Sequence, residues 1–164
     1  MNQIYQYESL RNPIGKKQVM SRISQHEFEQ LVKEHLPFIG ALNIQIECLE
    51  AGKATIRLPF REHFIRPGGS VSGPVQLGFA DIVMYAVVMS VLGRIEMACT
   101  TNLTCNFLSR PRPVDLLGCG QILKLGKRLA VGEVMLYSDG DSAPVAHVTC
   151  TYSIPPAYSP VYNA

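Results

Sequence analysis

The sequence predicts an α+β protein in which an antiparallel β-sheet wraps around one long central α-helix. A nearly continuous apolar segment from Gly73 to Leu92 has the length of a long helix. Segments in which apolar and polar residues alternate, as they do in half-buried strands, lie on both sides of it. The length of 164 residues, with 47% hydrophobic and 17% charged residues, suits one domain with a sizeable core.

The first predicted element is a short amphipathic helix that follows Ser24. Ser24 and Glu27 have the spacing of a capping box, in which each side chain accepts a hydrogen bond from the other residue's backbone amide. The helix is expected to end near Pro37. Its apolar face is formed by Phe28, Leu31 and Val32.

Residues 41–60 predict a β-hairpin with one buried face. The turn is expected at residues 50–53, which include Gly52. The residues predicted to face the core are Leu42, Ile44, Ile46 and Cys48 in the first strand, and Ala54, Ile56 and Leu58 in the second.

The central helix is expected from about Gly73 to Leu92. Pro74 suits its first turn, where a missing N–H group costs nothing, and Ser72 or Gly73 serves as the cap. Gly93 suits its end. Because apolar residues occupy nearly every face, the helix should be enclosed rather than lie on a surface.

Four further strands are predicted after the helix. Gly118 and Gly120 are interpreted as a bend or bulge, and Asp139 with Gly140 forms a turn. Since only the central helix is long and apolar enough to cover the sheet, the sheet should wrap it. The four strands are placed within residues 97–109, 113–126, 128–138 and 143–154.

One curved sheet would not seal so apolar a helix, so we expect a homodimer or a dimer of dimers. The strand within residues 97–108 is predicted to meet its copy along an edge. The expected organisation is an N-terminal extension (residues 1–20), a single domain (residues 21–155) and a C-terminal tail (residues 156–164).

Composition excludes several classes of function. A net charge of +2 without a basic stripe argues against nucleic acid as a partner. The five cysteines are scattered and the four histidines lack metal-ligand spacing, which predicts reduced thiols and neither metal nor cofactor. The N-terminus lacks an apolar signal segment, and the uncharged run Ile82–Leu92 is too short to cross a bilayer. We therefore expect a soluble, cytoplasmic protein without a membrane partner.

Asp81 is the exception within the apolar segment. A buried carboxylate without partners costs several kcal/mol, so Asp81 either belongs to a structural network or borders a site. Three features favour a site. Asp81 lies mid-helix, Gly78 and Tyr85 share its face, and the amide of Gly73 is unshielded at the positive end of the helix dipole.

The spacing of Gly73 and Asp81 places them about 12 Å apart along one helix, too far to act on the same carbonyl. If two helices pack antiparallel across a dimer axis, Gly73 of one chain approaches Asp81 of the other. This predicts composite sites, two in each dimer.

Three motifs resemble those of the hotdog-fold thioesterases, particularly the PaaI-like acyl-CoA thioesterases, over about residues 24–154. They are G-x-V-x-G-x(5)-F-A-D ending at Asp81, N-F-L-S-R-P starting at Asn106, and K-L-G-K-R-L-A-V-G-E-V starting at Lys124. The resemblance implies a hotdog fold and an acyl-CoA substrate. It also implies that Asp81 is the nucleophile or general base and that the Gly73 amide polarises the thioester carbonyl.

The chain departs from the family motif N-x-x-G-x-x-H-G-G. Arg66 replaces the Asn, Ser72 the His and Pro74 the second Gly, while Tyr85 stands where Ser or Thr is common. Ser72 is expected to donate a hydrogen bond, and Arg66 to bind a carboxylate or phosphate. These departures leave a non-catalytic acyl-CoA or lipid-binding protein as the alternative to a thioesterase.

Further substrate-binding candidates are less specific. Lys127 and Arg128 are expected either to meet the phosphates of coenzyme A or to be solvated loop charges. Asn106 is a candidate by family analogy alone. A hotdog dehydratase is disfavoured, because that chemistry normally uses a histidine near the helix and residues 68–93 contain none.

Overall fold

The protein is described by a computed structural model over residues 20–156. The expectations for residues 1–19 and 157–164 lie outside the described residues. The helices are α1 (Gln25–His35), α2 (Pro37–Gly40) and α3 (Gly73–Leu92), with a 3₁₀ turn at Glu62–Phe64. The strands are β1 (Gln45–Glu50), β2 (Lys53–Leu58), β3 (Ile65–Arg66), β4 (Ser70–Val71), β5 (Cys99–Phe107), β6 (Leu116–Leu125), β7 (Leu129–Ser138) and β8 (Ala146–Ser153).

Six antiparallel strands form one sheet in the order β1-β2-β6-β7-β8-β5, and β3 pairs with β4 in a separate ribbon. Helix α3 packs mainly against β2, β6 and β7. The predicted α+β architecture, a sheet wrapped around a long helix, is therefore confirmed. Sequence reasoning missed α2, the 3₁₀ turn and the β3–β4 ribbon, which are all very short.

The helix ends have the predicted chemistry. The Ser24 amide donates to Glu27 Oε2 at 2.8 Å and the Glu27 amide donates to Ser24 Oγ at 3.2 Å, which completes the capping box of α1. Pro74 lies in the first turn of α3, and Gly93 ends it with φ +83°. Ser72 is the N-cap residue of α3 by backbone geometry, but its hydroxyl makes no capping hydrogen bond.

The enclosure of α3 is nearly complete, with buried residues around its whole circumference. By length and composition it would pass for a membrane span, yet 72% of its most apolar window is buried within the protein. Core helices of globular domains have the same length and composition, so this match is weak evidence for a membrane.

Two glycines of β6 allow α3 to approach the sheet closely. A Cβ atom at Gly118 would lie 2.7 Å from Val83 Cγ2, and one at Gly120 would lie 2.8 Å from Val87 Cγ2. Their pairing with β7 is regular, and the register shift in β6 comes later, between Ile122 and Lys124. The expected bend or bulge at these glycines was therefore wrong, because they are required for helix–sheet contact instead.

A bulge also corrects the prediction for Cys48. The register of β1 shifts between Ile46 and Cys48, which reverses the alternation of faces. Leu49 consequently packs against the core, whereas Cys48 lines a cavity of about 110 Å³ on the outer face of the sheet.

Candidate active site

Asp81 lies at the middle of α3, where its face of the helix meets the ends of β5 and β8. Thr100 Oγ1 and the Tyr152 hydroxyl each donate to Asp81 Oδ1 at 2.6 Å. Tyr152 also lies 2.9 Å from the main-chain oxygen of Asp81. Thr100 and Tyr152 are directly paired residues of β5 and β8, so neighbouring strands bring two hydroxyls to one carboxylate oxygen.

The second carboxylate oxygen has a different environment. No hydrogen bond from residues 20–156 reaches Asp81 Oδ2, and the side chain is half-buried. Asp81 lines a cavity of about 230 Å³. The cavity lining combines apolar residues with the acid and other polar residues. The apolar ones are Leu36, Ile39, Ile82, Ala98 and Cys99, and the polar ones are Asp81, Tyr85, Glu96, Thr100 and Tyr152.

Two phenols in this cavity remain protonated at neutral pH. Burial, followed by the negative charge of Asp81, raises the pKa of Tyr152 well above its ordinary value. Burial, together with Glu96, raises the pKa of Tyr85 to about 12. The Tyr85 hydroxyl donates its only hydrogen to the main-chain oxygen of Glu96 at 3.1 Å and not to Asp81.

Gly73 borders a second cavity, of about 370 Å³, at the N-terminal end of α3. A Cβ atom at Gly73 would lie 3.2 Å from Phe107 Cζ, so the edge of that ring lies against the glycine. Arg66 also lines this cavity, and Phe107 is 53% exposed. The lining residues are Arg66, Ser70, Val71, Gly73, Gln76, Phe107, Leu108, Ser109, Arg110 and Pro111.

Gln76 belongs to this second cavity and was missed by sequence reasoning. Its side chain is 3% exposed, and Nε2 donates to the Val71 carbonyl at 3.2 Å. Its Oε1 is buried without a hydrogen-bond partner among the described residues. The signal that identified Asp81, a polar side chain within an apolar helix, applies equally to Gln76.

The remaining predicted site residues are dispersed. Gly78 contacts the ring of Phe38, with an added Cβ atom 3.5 Å from Cε1. Asn106 pairs with His147 in the register of β5 and β8 and lines neither cavity. Lys127 and Arg128 lie in the turn between β6 and β7. The next residue, Leu129, and the start of β5 pair with the same end of β8, from opposite sides. The turn is therefore at the same end of the sheet as Asp81.

The protomer therefore separates the predicted residues into two places. Arg66 and Gly73 line one cavity, while Asp81 and Tyr85 line the other. Residues 20–156 contain no group of three or more His, Cys, Asp or Glu side chains placed to hold a metal ion.

Comparison with known proteins identifies the family. Residues 68–152, which include α3 and every predicted site residue except Arg66, match the model of the thioesterase superfamily. The chain belongs to this superfamily, and its six-stranded sheet around α3 is the hotdog fold. A thioesterase-type hydrolase function follows from this membership.

Individual relatives agree with the assignment. The chain is 42% identical to a "putative thioesterase" from Silicibacter sp., with a TM-score of 0.74 over 87% of this chain and 97% of that one. It is 28% identical over 139 residues to a "putative esterase" from Saccharolobus solfataricus, covering 84% of this chain and 90% of the relative. The PaaI protein of the E. coli phenylacetic acid degradation operon shares the fold, at 18% identity and a TM-score of 0.69 over 77% and 89% of the two chains.

Proposed function

We propose that the protein hydrolyses an acyl-CoA thioester to a free acid and coenzyme A, in a site formed between two protomers. The amide of Gly73, at the positive end of the α3 dipole, donates to the thioester carbonyl. The partner subunit's Asp81 attacks the carbonyl carbon or activates a water molecule that does so. Both routes consume one water and release one thiol.

The observation that carries the proposal is the unequal use of the two oxygens of Asp81. Oδ1 accepts both hydroxyl hydrogen bonds, whereas Oδ2 receives none from the described residues, and Asp81 lines a cavity. Asp81 is half-buried, and Oδ2 is not one of the buried atoms that lack a partner, so water or a ligand can reach it. An unpaired oxygen on a residue that lines a cavity suits a group that acts on a ligand.

The second protomer is inferred from strand β5 and from helix geometry. Strand β5 ends the sheet, and seven of its nine residues are exposed. Such an open edge pairs readily with an identical strand about a two-fold axis. Within one chain, Gly73 and Asp81 line separate cavities. An antiparallel copy of α3 offers a way to bring both groups to one thioester.

The experiment is hydrolysis of a panel of short-chain, medium-chain and aryl acyl-CoA thioesters, followed by thiol release with a thiol reagent. Wild-type protein should hydrolyse at least one member, and Asp81→Asn should lose about a hundredfold or more in kcat. Asp141→Asn is the matched control, since this exposed carboxylate pairs only with Arg112 among the described residues. The control should retain wild-type activity.

Two outcomes would reject the proposal. Full activity in Asp81→Asn would remove the acid from the mechanism. Tight binding of acyl-CoA by wild-type protein, without thiol release from any member of the panel, would favour the non-catalytic binding protein instead. The replacement of the family's Asn and His by Arg66 and Ser72 is the feature that supports this second candidate.

A further inference from the structure

We propose that Tyr152 is a positioning residue that holds Asp81 so that only Oδ2 faces the substrate. This inference rests on the proposed function, since it assigns Asp81 the reacting carboxylate. It concerns a residue of the last strand, 71 positions from Asp81 in sequence.

The geometry ties Tyr152 to both ends of the Asp81 residue. Its hydroxyl lies 2.6 Å from Oδ1 and 2.9 Å from the main-chain oxygen of Asp81. A phenol has a single hydrogen, so the hydrogen bond is shared between the side chain and the backbone of Asp81. Rotation of the carboxylate about its side-chain torsions would break this shared bond.

The ring of Tyr152 is itself held in place. The residue is 3% exposed. It stacks on Tyr85, with ring centroids 6.0 Å apart and an interplanar angle of 29°. The hydroxyl therefore presents a fixed donor rather than a mobile one, which is the property that a preorganised site requires.

The second donor completes the arrangement. Thr100 Oγ1 donates to Oδ1 at 2.6 Å, so two short bonds converge on the same oxygen. A register shift in β5 falls between Thr100 and Asn102, immediately beside this donor. Bulges near functional sites commonly re-aim side chains. With Oδ1 occupied, the lone pairs of Oδ2 are left for the substrate or water.

Tyr152 also remains a donor under working conditions. Burial and the charge of Asp81 raise the pKa of Tyr152, so the phenol keeps its proton at neutral and moderately alkaline pH. An ionised phenolate would repel the carboxylate instead of orienting it.

The test compares Tyr152→Phe with Tyr137→Phe. Tyr152→Phe keeps the stacked ring and removes only the hydroxyl. Tyr137→Phe removes a hydroxyl from the opposite face of the sheet, where that side chain lines the outer cavity. For Tyr152→Phe, kcat should fall by about 10- to 100-fold while KM changes by less than about threefold. The control should match wild type in both constants.

The split between kcat and KM separates positioning from a merely structural role. A variant that had only lost stability would have a lower thermal midpoint and a smaller fraction of active protein. Thermal unfolding would detect the first change, and titration of active sites would detect the second. A kcat within twofold of wild type (about the error of such comparisons) would overturn the proposal. So would equal loss of kcat in both variants.

A second measurement does not depend on the folding of Tyr152→Phe. A crystal structure of the wild-type protein should show the Tyr152 hydroxyl within hydrogen-bond distance of Asp81 Oδ1, and an ordered water or ligand atom on Oδ2. A Tyr152 hydroxyl bonded to another group instead would overturn the contact between the two side chains.

The outcomes distinguish this inference from the proposed function. If Asp81→Asn retains full activity, the proposed function itself fails. If Asp81→Asn is inactive and Tyr152→Phe has wild-type kcat, the proposed function stands and only the role of Tyr152 is rejected.

Discussion

A mixture of two inactive variants should regain activity if each site combines Gly73 of one protomer with the partner subunit's Asp81. The first variant is Asp81→Asn. The second is Gly73→Leu, whose side chain must displace the ring of Phe107 from the glycine. The adjoining cavity of about 370 Å³ has room for this side chain, so the substitution should block the site with little effect on the core.

The expected magnitude follows from counting sites. Random assortment makes about half of the dimers heterodimers. In each heterodimer, one site combines an intact Gly73 with an intact Asp81, and the other site has lost both. About a quarter of all sites are therefore functional, and the mixture should recover about a quarter of wild-type kcat.

The assay is thiol release after the two variants are mixed and exchanged under mildly dissociating conditions, or coexpressed with different affinity tags. Purification through both tags isolates the heterodimer, which should then reach about half of wild-type kcat. The double variant Asp81→Asn/Gly73→Leu mixed with itself is the control for contamination.

Recovery of activity identifies the site as composite, because Gly73 and Asp81 of one chain lie about 12 Å apart along α3. A purified heterodimer with no activity above the parent variants would refute the composite site. In that case each catalytic unit would have to be built within one chain, and the role assigned to Gly73 would be lost.

Two further predictions concern stability. Gly132→Ala should lower the free energy of unfolding by about 1–3 kcal/mol, because the added methyl group would lie 2.6 Å from the Gln121 main-chain oxygen. Gly78→Ala should raise the free energy of unfolding by about 0.5–1 kcal/mol, because its methyl group meets only the ring of Phe38, at 3.5 Å, and alanine favours a helix. Thermal unfolding of the two variants distinguishes the opposite effects. Hydrogen bonds from Gln121 and His147 lower the pKa of Glu133, so its stabilising contribution is present above the ordinary value of 4.5 and is lost as pH falls through the lowered value. The stability difference between wild type and Glu133→Gln should accordingly shrink as urea denaturation is carried from neutral pH down through that range; a difference independent of pH would contradict the linkage.

Much of the fold could be predicted because its strongest signals are local. The apolar run of α3, its Pro74 and Gly93 boundaries and the capping box of α1 depend only on neighbouring residues. The face of the sheet that each strand residue occupies was less predictable. One extra residue in β1 turned Cys48 to the outer face, and nothing in the local alternation marks that shift. The tight contact at Gly118 likewise depends on which helix crosses the strand.

The candidate site likewise contains residues that could be predicted from the sequence and residues that could not. Asp81 was visible because a charge in an apolar helix conflicts with its surroundings, and a conflict of this kind commonly marks function. Its donors were not visible, since Thr100 is 19 and Tyr152 is 71 positions away and each belongs to an ordinary alternating strand. Gln76 carried the same local conflict as Asp81 and could have been found by applying the same reasoning to every polar residue of the segment.

The contacts of Asp81 also indicate that folding requires an oxygen at this position rather than a charge. Both partners are neutral hydroxyls that donate to Oδ1, and the amide oxygen of an asparagine accepts the same two hydrogen bonds. The amide nitrogen would take the place of Oδ2, which has no partner to lose among the described residues. Asp81→Asn should therefore unfold at the same temperature as wild type or higher, because it avoids desolvating an ionised group. Unchanged stability in that variant would assign the charge to the chemistry of the site rather than to the fold, whereas a large drop in its unfolding temperature would contradict this.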